Sequence, residues 1–175
     1  MAAPLRAVQP RAAGLHTLAA LPRQVMRESE LVERLLILSR YLRALSSLSH
    51  VLHLNYVGDG NFIEVHRYLK ERYEAHLEEF DAAAEFVRAL GVPFLGTVRE
   101  LHELPGGFQD LEPGCSCSDG LAAYHANLQQ LIALAQTLEP IAQQARAIDV
   151  ANWCAELVTT NGKACWFIRA TLGCS

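Results

Sequence analysis

No stretch of the chain approaches the roughly 18 consecutive apolar residues that a membrane-spanning helix requires, so no membrane partner is expected. No segment shows the alternation of apolar and polar residues that marks a strand, and there are no internal repeats or low-complexity tracts. Basic residues are not in excess: the formal net charge is -4. A protein whose main task is wrapping nucleic acid would be more basic, because affinity for DNA comes largely from neutralising phosphates. Cysteines are few, odd in number and late: Cys115, Cys117, Cys154, Cys165 and Cys174. That set fits free thiols in a reducing, cytoplasmic compartment better than a secreted disulfide framework. Cys115 and Cys117 lack a second Cys or His pair at the spacing of a zinc site.

What is present is the composition of one globular domain. There are 175 residues, 51% hydrophobic and 19% charged, enough for a sizeable core. Residues 1–27 carry Arg6, Arg11, Arg23 and Arg27 and no acid. They read as an organelle-targeting peptide or as a mobile tail. Pro4, Pro10, Gly14 and Pro22, with no long apolar core, favour the tail.

From Glu28, Leu31, Leu35, Leu38, Leu42, Leu45 and Leu48 recur at spacings of three and four, which predicts an amphipathic helix running toward Tyr56. Gly58, Asp59, Gly60 and Asn61 predict a turn. A second helix follows from Phe62 to Leu90, its apolar face formed by Phe62, Val65, Leu69, Tyr73, Leu77, Phe80, Ala84 and Val87. Gly91 and Pro93 stop it. Residues 92–118 form a long connection with room for a short helix over 97–104. A third helix is expected from Asp119, as N-cap, to Ala145, with Pro140 kinking it or marking its weak end. A fourth runs from Asp149 to Leu172. One long crossover between the second and third helices is the connectivity of ferritin-like four-helix bundles. The fold class is therefore all-α.

Four of the seven histidines, His50, His53, His66 and His76, lie within 27 positions around the first turn, followed by Asp81 and Glu85. His50 and His53 share a helical face, as do Asp81 and Glu85. Imidazole with carboxylate is the ligand set of iron, zinc or manganese. Glu78 and Glu79 read as a solvated face. Intrachain di-iron sites in bundles usually carry Glu-x-x-His on two helices, and no histidine here has Glu three positions before it. His66 and Asp81 stand more than about 20 Å apart along one helix. They can share an ion only if two copies of this helix pack antiparallel about a two-fold axis.

His53-Leu54-Asn55-Tyr56-Val57-Gly58, then Asn61-Phe62 and His66, then Tyr73, Asp81, Glu85 and Ala89-Leu90-Gly91 resemble the signature of the Dps mini-ferritins. Trp166-Phe167-Ile168-Arg169-Ala170-Thr171-Leu172-Gly173 resembles that family's last helix. The likeness spans residues 28–173. It implies a hollow dodecamer with ferroxidase centres, about two iron ions each, between two-fold-related subunits. His53 and His66 match the ligands from one subunit, and Asp81 and Glu85 those from its neighbour. The implied activity is oxidation of iron(II) by peroxide or dioxygen with mineral storage, which protects against oxidative stress.

Three departures stand out. The family's usual Asp four residues after the second His is Lys70. The Trp after the first His is Leu54. The turn has one extra residue. His76 is expected to stand in for the lost acid as a ligand, or else to be an interface or surface histidine. A nitrogen-richer site would favour zinc. His50 is expected to be buried, or to orient a ligand. His16, His102 and His125 have no assignable partners. The alternative function is a zinc- or iron-sequestering or DNA-associated shell with little oxidase activity. The lysine-free tail and the negative charge make DNA binding weak or absent.

Overall fold

The computed structural model describes residues 23–58, 60–94 and 97–173, with side chains from residue 28 onward. The expectations for the N-terminal tail up to residue 22, for His16 and for Cys174 lie outside the described residues. Among those described, the structure is five helices and no strand: α1 (Arg23–Asn55), α2 (Phe62–Ala89), α3 (Val98–His102), α4 (Cys117–Ala145) and α5 (Ile148–Thr171). α1 packs against α2, α4 against α5, and α1 against α4. This is the four-helix bundle with a long crossover that the connectivity implies. No helix among the described residues is long and apolar enough to cross a membrane.

The leucine stripe of α1 forms the centre of the core. Leu31, Leu35, Leu38, Leu42, Leu45 and Leu48 are all buried, each stabilising the fold by about 1.5–3 kcal/mol. Around them close Leu69, Val87, Leu121, Leu128, Leu131, Leu138, Leu157 and Ile168. α1 begins at Arg23, five residues before the first leucine-based expectation.

Small polar residues let α1 and α2 approach closely. The buried Ser46 hydroxyl donates to the carbonyl of Tyr73 at 2.9 Å. α2 ends in a Schellman motif: Gly91 N–H donates to Arg88 and Val92 N–H to Val87. Gly91 takes φ +80°, which L side chains rarely tolerate.

The crossover is held down rather than loose. Thr97 caps α3 by accepting from Glu100 N–H. Asn127 of α4 donates to the Gln109 carbonyl and accepts from its N–H. Phe108 sets its ring on Tyr41. At α4 the cap is Ser116, not Asp119. Its hydroxyl accepts from Asp119 N–H while donating to the Asp119 carboxylate, so Asp119 lies in the first turn, three residues past the cap. The helix continues through Pro140 to Ala145 and turns at Arg146, which adopts φ 63°.

α2 is where the expected face departs from the observed one. The buried side chains are Val65, Leu69, Arg72, His76, Ala83 and Val87. Leu77 is 44% exposed. A stripe at alternating spacings of four and three, from 65 through 69, 72, 76 and 79 to 83, fits the core seam. It carries polar residues into the interior.

Candidate metal centre

The α1–α2 hairpin brings His53 and His66 together. Both are half-buried. Their rings stack with centroids 3.8 Å apart and planes 25° from parallel. His53 Nδ1 lies 2.8 Å from the carbonyl of His66, and His66 Nδ1 lies 2.9 Å from the carbonyl of His53. A carbonyl only accepts, so each Nδ1 carries the proton and donates it. Each Nε2 therefore keeps its lone pair. A ligating imidazole is commonly fixed by a hydrogen bond from its other nitrogen, and here each histidine is fixed by the other's backbone.

An aromatic rail continues on both sides of the pair. Phe62 stacks on His66 at 5.1 Å, and Tyr56 on Phe62 at 6.5 Å. Tyr73 meets His53 edge-on at 5.5 Å and lies flat on His50 at 4.2 Å. His50 is exposed in the chain rather than buried, because it points outward from α1 onto the face of Tyr73.

Asp81 and Glu85 are exposed on the far half of α2. From His66 to Asp81 is 15 residues, about 22 Å of helical rise. Among the described residues no group of three or more His, Cys, Asp or Glu side chains converges within the single chain. Lys70, one turn after His66, is drawn along the helix to Glu74, its Nζ 3.5 Å from the carboxylate. Both side chains are about half exposed, 54% and 53%, so the pair is weak.

His76 is not brought to His53 and His66. It is fully buried between α2 and α4, with both nitrogens engaged. Nδ1 donates to Glu79 Oε2 at 2.7 Å, and Nε2 faces the Tyr124 hydroxyl at 2.9 Å. Burial holds its pKa below the ordinary value, with a smaller push from Arg72. A neutral imidazole with no free lone pair cannot replace a carboxylate elsewhere, so the expected role of His76 as stand-in ligand is corrected.

Glu79 is corrected with it. It is not on a solvated face but largely inside the bundle. Burial alone would raise its pKa; the hydrogen bond and charge of His76, then Arg72, hold it below the usual value. Arg72 Nη2 sits 3.7 Å from Glu79 and donates to Asn161 Oδ1 at 2.9 Å. Asn161 Nδ2 in turn donates to the Leu157 carbonyl. These four residues with Tyr124 form a polar network in an otherwise apolar core.

The remaining candidates are local. His102 Nδ1 donates to the Val98 carbonyl within α3. His125 is half-buried, its pKa lowered by burial and by Arg169. Cys115, Cys117, Cys154 and Cys165 are free. Cys154 is buried, and burial, with the nearby charge of Glu139, pushes its thiol up to about 12. Cys115 and Cys117 line a cleft of about 420 Å³ beside Leu52 and Tyr56. There the Cys117 sulfur accepts from Val57 N–H at 3.3 Å.

Residues 30–174 match the family model of the ferritin-like domain. No match is found among curated proteins. Solved structures share the fold at low identity. The antigen TpF1 from Treponema pallidum is 22% identical, covers 91% of this chain and 99% of its own, and gives a TM-score of 0.76. The Dps protein from Vibrio cholerae O1, described as a member of a broad superfamily of ferritin-like diiron-carboxylate proteins, is 14% identical with coverage of 94% and 99% and a TM-score of 0.75. Dps from Listeria innocua, in a zinc-soaked form, is 19% identical with coverage of 83% and 97% and a TM-score of 0.74. The family match over most of the chain, on a bundle with the Dps crossover, identifies this protein as a member of the ferritin-like family with the fold of the Dps mini-ferritins.

Proposed function

We propose that the protein oxidises and stores iron as a dodecameric shell, at centres that each take His53 and His66 from one subunit and Asp81 and Glu85 from its two-fold neighbour. The observation that carries the reading is the reciprocal His53–His66 pair: two fixed imidazoles, half-exposed, each with a free Nε2. Two nitrogens and two carboxylates suit iron(II). Iron(II) is the substrate, about two ions per centre. The chain's part is to hold the ions close, so that a two-electron oxidant takes one electron from each and releases no radical. The oxidised iron then leaves for mineral in the cavity. Protection against peroxide is the physiological consequence.

A second reading follows from Lys70. The position one turn after His66 supplies no acid, which leaves the donor set richer in nitrogen and suited to zinc. On that reading the shell sequesters metal and oxidises it slowly. Association with DNA is expected to be weak, because a net charge of -4 per chain repels phosphate when multiplied over a shell. Clear retardation of DNA in a low-salt gel shift would overturn that point.

Anaerobic loading with iron(II), followed by limiting dioxygen or peroxide in separate runs, separates the two readings. Rapid oxidation by either oxidant, with mineral growth afterwards, supports the ferroxidase. Tight zinc binding with oxidation no faster than that of free iron(II) supports sequestration.

A further inference from the structure

The polar network inside the bundle has no role in an inter-subunit metal centre, yet its hydrogen bonds run in one direction. Glu79 Oε2 accepts from His76 Nδ1 at 2.7 Å, which leaves Nε2 as an acceptor. The Tyr124 hydroxyl, 2.9 Å away, is therefore the donor to Nε2. Arg72 donates to Asn161 Oδ1 at 2.9 Å and offsets the charge of Glu79 at 3.7 Å. Tyrosine, imidazole and carboxylate thus stand in a chain, all inside the fold, with Tyr124 and His76 fully buried.

The geometry points to Tyr124 as a reversible one-electron donor, with His76 as its proton acceptor and Glu79 as the group that holds His76 in the accepting tautomer. A phenol that loses an electron becomes a very strong acid. Oxidation is easy only where a base takes the proton at the same moment. Tyr41 and Tyr56 donate to amide oxygens of Asn127 and Asn61, which are not bases. The buried Tyr68 hydroxyl has no hydrogen-bond partner among the described residues.

In the step, one electron leaves Tyr124 for a one-electron oxidant. The phenolic O–H bond breaks and an N–H bond forms on His76 Nε2. The products are a neutral tyrosyl radical and an imidazolium held against the Glu79 carboxylate. The oxidant is hydroxyl radical, which becomes hydroxide; its source in the protein rests on the proposed iron and peroxide chemistry. One electron from iron(II), which becomes iron(III), and return of the proton from Nε2 restore the tyrosine. His76 lies five residues before Asp81 on α2, about 7.5 Å of helical rise, within reach of an electron lost near the proposed centre. The triad would absorb single-electron errors of a site meant to work in pairs.

The test uses the whole assembled protein. In one arm, metal-free protein is oxidised by photogenerated tris(bipyridine)ruthenium(III), frozen and examined by electron paramagnetic resonance. In the other, anaerobic iron(II)-loaded protein is mixed with peroxide and frozen. A long-lived tyrosyl signal is expected in both arms, with the g-shift of a radical hydrogen-bonded to a cation. It is lost in Tyr124→Phe and kept in Tyr41→Phe. In His76→Gln the Tyr124 radical loses its lifetime and its g-shift. If His76→Gln does not fold, Tyr124→Phe and a solvent deuterium effect on radical formation carry the test. An unchanged signal in folded Tyr124→Phe, or no tyrosyl signal in either arm, overturns the donor. A Tyr124 signal with ruthenium but none with iron and peroxide overturns iron chemistry as the source of the oxidant, and with it this role.

Discussion

His66 and His76 sit ten residues apart on the same helix and do opposite things. His66 lies on the outer α1–α2 groove, its Nδ1 tied to a backbone carbonyl and its Nε2 free. His76 lies on the inner seam, with Nδ1 on Glu79 and Nε2 on Tyr124. A half-exposed ring with one committed nitrogen is available to a metal. A buried ring with both nitrogens committed is not. The contrast teaches that placement on the helix, rather than residue type, decides which histidines can ligate.

The largest expected effect breaks the outer site. His53→Ala or His66→Ala removes a proposed ligand and also one ring of the reciprocal carbonyl clamp, and should lower the initial rate of iron(II) oxidation by at least the roughly 10–100-fold typical of losing a group that only orients a ligand. Stopped-flow absorbance checks this. His76→Gln should leave that rate within about two-fold, because His76 lies outside the centre, a margin well inside that same scale.

The inner network should show itself in stability instead. Arg72→Ala strips the counter-charge from a buried carboxylate, a change that costs about 3–5 kcal/mol in comparable buried pairs. Urea denaturation of the assembled protein reads it. A cost below about 1 kcal/mol, the range of exposed pairs, would mean that Glu79 finds water or another partner.

Acid lability follows from the same region. Burial lowers the His76 pKa in the folded state, so below its ordinary value, near 6.5, the unfolded chain binds a proton that the folded chain does not. Stability therefore falls as pH drops from about 6.5. Glu79, Arg72 and Tyr124 are the titratable and charged groups that face this ring. His76→Gln should flatten thermal stability between about pH 6.5 and 5, although it lowers it overall.

The smallest expected effect is at the surface. Lys70→Ala removes a half-exposed ion pair with Glu74 and should change stability by less than about 0.5 kcal/mol. Lys70→Asp restores an acid one turn after His66 and should strengthen iron(II) binding, read by anaerobic calorimetry. Equal affinity in the two variants would show that position 70 does not face the metal.

The bundle was legible from the sequence because its signals are strong and local. The α1 leucines repeat at core spacing, Gly91 stops α2, and the crossover is too long for a hairpin. Position about the turn singles out four histidines, and the resemblance to the Dps signature is what pairs His53 with His66. The inner network was missed because Arg72 and Glu79 look like surface residues and His76 looks like a ligand for the site that Lys70 leaves short of an acid. Counting α2 strictly at spacings of four and three from Val65 puts all three on the core stripe, so the signal existed. What no single-chain pattern reveals is the partner across the interior: Tyr124 and Asn161 lie 48 and 82 or more residues away. The cap at Ser116 was displaced for a simpler reason, since Asp119 has the right side chain but belongs to the first turn.

The shared centre is tested most directly by complementation between two inactive chains. One carries His53→Ala and His66→Ala, the other Asp81→Ala and Glu85→Ala, and they are dissociated, mixed in equal amounts and reassembled. If each centre draws its histidines and its acids from different subunits, as proposed, then in each mixed two-fold dimer one centre lacks all four ligands and the other is intact. Random mixing should therefore restore about a quarter of the wild-type iron(II) oxidation rate. No recovery, in shells shown by mass spectrometry to contain both chains, would contradict a centre shared between subunits.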